Sequence, residues 1–345
     1  MNSTPQQSGV LDAAPKFHWQ PGAWLALRIF SIIGSTFVLS SCAREPLRNL
    51  HDHLSFLDPQ GPIAAAERWH FWFVVLIMTV LVAAPVYILT IWILWHYRYS
   101  NKAHTRYEPK WTHNSVLSVL TWSGPVAIVM FLGVFVWRNT RRLDPFRPLV
   151  STQPTLQVQA IGYNWKWLFL YPKLKIATVG VLPIPAGQPV AMKLTSATVM
   201  QSLSIPALIG QIYAMGGMVT QLHFEANGPG RSLGMNTMYN GSGFARQTFT
   251  ALALKPTAFK AWVKQVQAYG VPLDQHTYAL LSQRGTKGQL ASALRLPSST
   301  VRDGEIFLRD VPTGLFHQVI HATTSGTTVK FPQMNGVSAN APAIP

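Results

Sequence analysis

The chain has 345 residues, enough for two or three domains. Apolar residues make up 48% of it, more than a soluble core requires, and Lys plus Arg outnumber Asp plus Glu by 28 to 12. The one cysteine, Cys42, excludes an intramolecular disulfide and any thiolate-rich metal cluster; on charge alone the basic excess suits nucleic acid or anionic lipid.

In chain order, Lys16 and Arg28 precede an apolar run from Ile29 to Leu39, and small residues then lead to Cys42. That succession is the pattern of a secretory signal. Leu39-Ser40-Ser41-Cys42 resembles a bacterial lipobox, in which cleavage would remove residues 1–41 and leave the Cys42 thiol to carry a diacylglycerol. The n-region is long, and an uncleaved helix starting near Trp24 is the alternative. Residues 42–68 then form an N-terminal segment outside the cytoplasm.

Residues 71–95 contain no charge, and at about 1.5 Å per residue they cross an apolar layer of about 30 Å. Trp69 and Trp72 mark one end, and Trp92, Trp95, Tyr97 and Tyr99 the other, as an interfacial aromatic belt requires. Residues 116–137 form a second span, interrupted by Gly124-Pro125. Together they predict a transmembrane α-helical hairpin over residues 69–138 with a connecting loop at 96–114. Four basic residues in the loop (Arg98, Lys102, Arg106, Lys110) balance four after the second span (Arg138, Arg141, Arg142, Arg147), so the positive-inside rule does not orient it. A lipidated Cys42 does: it makes the loop cytoplasmic and everything after 138 periplasmic, with no access to nucleic acid.

From residue 150 the period changes. Val190, Met192 and Leu194 alternate with smaller or polar residues, and Met218, Leu222 and Phe224 share a face. Residues 164–171, "NWKWLFLY", read as a bulky aromatic strand. Short alternating strands between Pro/Gly turns predict an antiparallel β-sandwich over 150–255. Residues 256–322 then form a helical and aromatic-rich extension. Its first helix has Thr257 as N-cap and Phe259, Trp262, Val263 and Val266 on one face; a second spans 273–282. Residues 323–345 are rich in Ser, Thr, Gly and Pro and read as a disordered tail.

Lipobox, hairpin, sandwich and aromatic tail together resemble subunit II of bacterial heme–copper terminal oxidases, and specifically the quinol-oxidising, cytochrome bo-type branch. The stretches that carry the resemblance are 164–172, 176–179, 194–218, 227–245 and "GLFHQVI" at 314–320. It implies a cupredoxin-like sandwich and a non-catalytic subunit of a proton-translocating ubiquinol oxidase that reduces O2 to water. It further implies a multi-pass protein of the bacterial inner membrane. Heme and copper would sit in a partner catalytic subunit I, with further membrane subunits beside it, and this chain would hold no cofactor.

In the cytochrome c-oxidising branch the sandwich holds a dinuclear copper centre built from two Cys, two His, a Met and a Glu main-chain carbonyl. By motif those positions fall here on Asn236 and Asn240, Gln201 and Phe244, Gln247, and Met238. No side chain matches, and without bridging thiolates the centre cannot form. Trp165 falls on the aromatic position through which that branch takes in electrons; here a packing role is expected of it. Ser118 stands where the family often has a Glu on the second span. Met200, Met215, Met218, Met235 and Met238 are read as core filler rather than Cu(I) ligands. His223, His276, His317 and His321 lack paired ligand spacing. The reading from another class is a non-enzymatic, membrane-anchored lipoprotein with a metal-free cupredoxin fold that binds a partner or ligand.

Overall fold

The structure, a computed structural model, describes residues 55–98, 114–149, 151–296 and 305–329. The expected signal peptide, Cys42, residues 42–54 of the segment 42–68, residues 99–113 of the loop at 96–114 and the chain after 329 lie outside the described residues.

Helix α1 (Pro62–Ile77), a π-helical turn (Met78–Ala83) and α2 (Ala84–His96) make one 35-residue helical run. The wide turn stands just before Pro85. Proline lacks an N–H and crowds the carbonyl four residues back; the π turn absorbs this by moving the Ala84 N–H to the Thr79 carbonyl. Helix α3 (Ser115–Arg142) starts at Asn114, whose Oδ1 accepts from the N–H groups of Val116 and Leu117 at 3.0 and 3.1 Å. Among the described residues these two helical runs are long and apolar enough to cross a membrane. They meet through aromatic rings: Phe73 and Phe135 are 4.9 Å apart, and His70 meets Phe135 edge-on at 5.6 Å.

The first helical run starts nine residues before the uncharged span read from the sequence. At about 1.5 Å per residue its 35 residues reach about 52 Å, well beyond a bilayer core of about 30 Å. The surplus belongs to the β domain: Ala64 is fully buried and Ile63 packs on the sandwich core.

Ten strands follow: β1 (Leu156–Tyr163), β2 (Lys166–Tyr171), β3 (Ile176–Val179), β4 (Val181–Pro185), β5 (Val190–Ser196), β6 (Gln201–Ile205), β7 (Ile209–Ala214), β8 (Thr220–Phe224), β9 (Gly230–Asn236) and β10 (Thr248–Leu254). After them come α4 (Pro256–Tyr269), β11 (Val271–Pro272), α5 (Gln275–Ser282), α6 (Lys287–Ala293), β12 (Ile306–Arg309) and α7 (Leu315–Ser325). The strands form a seven-stranded sheet, β11-β12-β3-β2-β1-β5-β8, facing a five-stranded sheet, β4-β10-β9-β6-β7.

Three expectations are corrected here. The sandwich is not wholly antiparallel, because β1 pairs with β5, and β4 with β10, in parallel. Side-chain alternation fixes which face a residue takes, not which strand lies beside it. Helix α4 starts on Pro256 after Lys255 rather than on a Thr257 cap; a proline in the first turn forfeits an N–H that has no helical partner anyway. Its apolar face, Phe259, Val263 and Val266, is buried as the periodicity requires. Helix α7 continues to Ser325, past the expected start of a disordered tail. Thr323 and Thr324 hydroxyls donate to the carbonyls of Val319 and Ile320 four residues back, so a polar last turn remains helical.

The extension is also more than an appendage. Strands β11 and β12 continue the seven-stranded sheet beyond β3, and α5, α6 and α7 cover its outer face. Strand β2 is therefore buried on both sides: Trp167, Phe169 and Tyr171 face the other sheet, and Leu168 and Leu170 face the extension. A doubly covered strand reads as an unbroken apolar run, which is the pattern of "WLFLY".

Gly234 of β9 lies flat under the ring of Phe249, and a Cβ there would fall 2.1 Å from a ring carbon. Gly234→Ala should destabilise the protein by about 1–3 kcal/mol through overpacking. A thermal melt of the purified protein checks this; Gly228→Ala, where a Cβ meets open space, is the control.

Candidate functional site

Strands β6 and β9 are antiparallel neighbours, with Leu203 opposite Asn236. That register carries Gln201, at the start of β6, to the same end of the sandwich as Asn236, at the end of β9. The loop from β9 returns through Asn240 to Gln247, just before β10. Four carboxamides thus converge. Gln247 is the hub: its Oε1 accepts from Nδ2 of Asn236 at 3.0 Å and of Asn240 at 2.7 Å, and its Nε2 donates to Gln201 Oε1. Gln201 Nε2 donates to the Tyr163 carbonyl and to Thr198 Oγ1, each at 3.1 Å. Asn236 Oδ1 accepts from the N–H groups of Ser202 and Met238, and its Nδ2 also reaches the Met238 carbonyl at 2.8 Å. Gln201, Asn236 and Gln247 are 0%, 4% and 1% exposed, so these bonds stand in for water that the groups have lost.

Of the six residues singled out by the resemblance, the structure joins four by side chain and Met238 by its main chain. Phe244 stays outside, on a 3-10 turn (Phe244–Arg246), with its ring 5.7 Å from that of Tyr239.

The cluster does not fit a dinuclear copper centre. Its donors are neutral carboxamides, whereas such a centre needs soft bridging thiolates and imidazoles. The oxygens of Gln201 and Gln247 are spent on other amides of the cluster and that of Asn236 on main-chain N–H groups; Asn240 Oδ1 is the one carboxamide oxygen of the cluster that is buried without a partner among the described residues. No set of three or more His, Cys, Asp or Glu among the described residues could hold a metal. His223 is tied to the chain leaving α3, its Nδ1 3.0 Å from the Pro145 carbonyl, while His276, His317 and His321 are exposed. The methionines correct the expectation of core filler: Met200 and Met218 are exposed, on the connections beside the amide cluster.

Trp165 lies next to the cluster. It occupies the turn between β1 and β2 in the left-handed region, at φ 65°, a conformation that costs a non-glycine residue strain. Its ring lies on the backbone of Gly243, where a Cβ would come within 2.0 Å of it. Its Nε1 donates to the Asn240 carbonyl at 3.2 Å, and the Arg284 guanidinium covers the ring at 4.5 Å from the centroid.

Lys166 follows, pointing to the outer face of β2 like Leu168 and Leu170. It is 3% exposed, and its Nζ donates to the carbonyls of Gln283 at 2.7 Å and Gly285 at 3.0 Å. Burial lowers its pKa to about 8. Neither Lys166 nor Arg284 was marked by sequence reasoning. The available signal was a lone charge inside the apolar run of β2; nothing in the sequence pairs Arg284 with Trp165.

No family model matches the chain. Curated relatives do. The chain is 39% identical over 240 residues to cytochrome bo(3) ubiquinol oxidase subunit 2 of Pseudomonas putida, covering 69% of this chain and 75% of that one. To ubiquinol oxidase subunit 2 of Acetobacter aceti it is 39% identical over 237 residues, 66% of this chain and 75% of the relative. To quinol oxidase subunit 2 of Bacillus anthracis it is 34% identical over 242 residues, 69% and 81%. Among solved structures, the periplasmic domain of subunit II of cytochrome oxidase of Bradyrhizobium japonicum aligns with 34% of this chain and 96% of its own length, at 20% identity and a TM-score of 0.32.

Two outcomes follow from the site. Gln247→Leu strands the Gln201 carbonyl and the Asn240 amide without partners, and should cost about 3 kcal/mol, read as a lowered melting temperature. The second concerns Lys166. Its folded pKa lies below the unfolded value of about 10.4, so the unfolded chain binds more protons between the two. The stability it contributes is complete above about pH 10.4 and is lost as pH falls through about 8. Melting temperatures of wild type and Lys166→Met, compared from pH 7 to pH 10, should show wild type gaining on the variant as pH rises.

Proposed function

This chain belongs to the ubiquinol oxidase subunit 2 family, and on that premise we propose how it serves such an enzyme. It is a non-catalytic subunit II of a terminal oxidase that oxidises ubiquinol and reduces O2 to water in aerobic respiration. Heme, copper and the quinol site belong to the catalytic partner, subunit I. This chain supplies two membrane helices to pack on that partner and a cupredoxin-like domain over its periplasmic face.

The observation that carries this reading is the amide cluster. A soluble one-electron donor needs a metal relay on the receiving domain. Here four of the six positions of the relay hold carboxamides bonded to each other, and a donor dissolved in the membrane reaches the catalytic subunit without crossing this domain. The sandwich end around the cluster presents Val199, Met200, Tyr213, Met218, Val219 and Tyr239 to the exterior, with no charged residue between Leu194 and Leu222. The charges beside it, Arg246 in the loop and Arg284 over Trp165, are both basic, so this end offers apolar surface with a cationic rim.

We further propose that residues 1–41 are a lipoprotein signal, that Cys42 carries the lipid, and that the loop at 96–114 is cytoplasmic. Heme and copper both lie outside this chain, and Ser118 gives it no carboxyl at that place on the second span to pass protons.

Purification of the chain from its native membrane tests the reading. It should bring heme-bearing subunits, with ubiquinol-dependent O2 uptake and no thiolate-to-copper absorption. A heme-free preparation without oxidase activity would favour the lipoprotein alternative, and thiolate-to-copper absorption would overturn the reading of the amide cluster. For the anchor, Cys42→Ala should abolish labelling by radioactive palmitate yet leave the protein in the membrane fraction. One acyl chain binds a bilayer only marginally, whereas two spanning helices do not leave it.

A further inference from the structure

Arg284 stands between the two residues that Lys166 holds. The Nζ of Lys166 takes the carbonyls on either side of it, Gln283 and Gly285, so the connection between α5 and α6 is pinned at the point where Arg284 projects. The guanidinium then lies over one face of Trp165, while the loop at 240–243 lies against the ring, with Gly243 beneath it. The indole is thereby held part-buried by both. Its Nε1 holds the Asn240 carbonyl, and Asn240 Nδ2 holds Gln247 Oε1. One chain of contacts therefore runs from the extension, through Trp165, into the amide cluster.

We propose that residues 283–285 form a strap that seals Trp165 and braces the loop at 236–247, with Lys166 as its positioning residue. Three features of the site call for such a strap. A buried ammonium ion that meets only neutral carbonyls is costly, and nothing in the hydrophobic packing of the extension requires a lysine there. A tryptophan in the left-handed region is strained, and persists only where surrounding contacts over-determine it. Arg284 is exposed and is free of any need to lie on an aromatic face, yet it is presented there by two backbone anchors. The three costs share one product, a covered indole whose outward surface is a cation. An aromatic that would otherwise be open to a docking protein or a planar ligand is replaced by a guanidinium that repels basic partners. This goes beyond the oxidase reading and does not rest on it, because it concerns how the extension acts on the sandwich whatever the partner.

Hydroxyl-radical footprinting of the intact membrane complex, read residue by residue by mass spectrometry, tests the strap together with backbone amide hydrogen exchange. In wild type Trp165 should be oxidised slowly and the loop at 236–247 should exchange slowly. In Lys166→Met, Trp165 oxidation should rise several-fold and exchange should quicken in both 283–287 and 236–247. Arg284→Gln should expose Trp165 by a similar factor while exchange at 283–287 stays at the wild-type rate, since the Lys166 anchors are untouched. Arg284→Lys, which keeps a cation, should restore part of the protection. Should Lys166→Met not assemble, the two Arg284 variants decide. Trp165 oxidation that is the same in wild type and Arg284→Gln would overturn the proposal, and so would a loop at 236–247 whose exchange ignores the loss of the Lys166 anchors.

Discussion

Burial of β2 on both faces is the constraint from which the rest of the molecule follows. A strand covered on one side needs only one sheet partner and can show polar residues outward. β2 cannot, and so needs two apolar layers: the opposite sheet over Trp167, Phe169 and Tyr171, and the extension over Leu168 and Leu170. The extension is therefore part of the fold and not a tail, and its strand β12 pairs with β3 at the sheet edge. Because the outer layer is present, the side chain of Lys166 enters protein rather than water, and the turn before it carries Trp165 against the loop of the amide cluster. Remove the outer layer and all three features lose their reason.

Much of this was legible in the sequence, and the limits are physical. Charge-free runs with aromatic ends marked the two long apolar helical runs, which have the length and composition to cross a bilayer core. The apolar face of α4 was equally plain, since Phe259, Val263 and Val266 repeat with the helical period. The start of the first helix was not, because residues 62–70 include Glu67 and Arg68, and the first turn is held by packing of Ile63 and Ala64 on the β domain. Parallel pairing of β1 with β5 was hidden for another reason: alternation is the same whichever neighbour a strand takes. At the site, the resemblance pointed to Gln201, Asn236, Asn240 and Gln247 as positions, but their mutual bonds depend on side-chain rotamers that no spacing encodes. Arg284 and Trp165 are 119 residues apart in the chain, and the link between them is made by the carbonyls of two other residues.

A cluster of amides holds loops together differently from a metal centre. A metal ties its ligands by a few strong bonds and demands charge and softness from them. Four carboxamides make more and weaker bonds and carry no net charge, with Asn240 Oδ1 the oxygen left unmatched. A buried neutral network of this kind costs little as long as every member is satisfied, and becomes costly when one is lost. Gln247 holds three of the bonds, so the tie between β6, β9 and the intervening loop depends on one side chain.

The surplus length of the first helix has a mechanical meaning. Its opening turns are seated in the β domain, with Ala64 wholly enclosed, Gln60 donating its N–H to the Ala207 carbonyl and accepting from the Asn227 N–H. On the other side Pro145, just past α3, accepts two hydrogen bonds from His223. Hydrogen bonds thus tie the sandwich at two points to the ends of the two helical runs. A tethered carrier domain swings, trading orientation for reach. This one has the geometry of a bracket, its heading tied to the ends of its helices by those contacts.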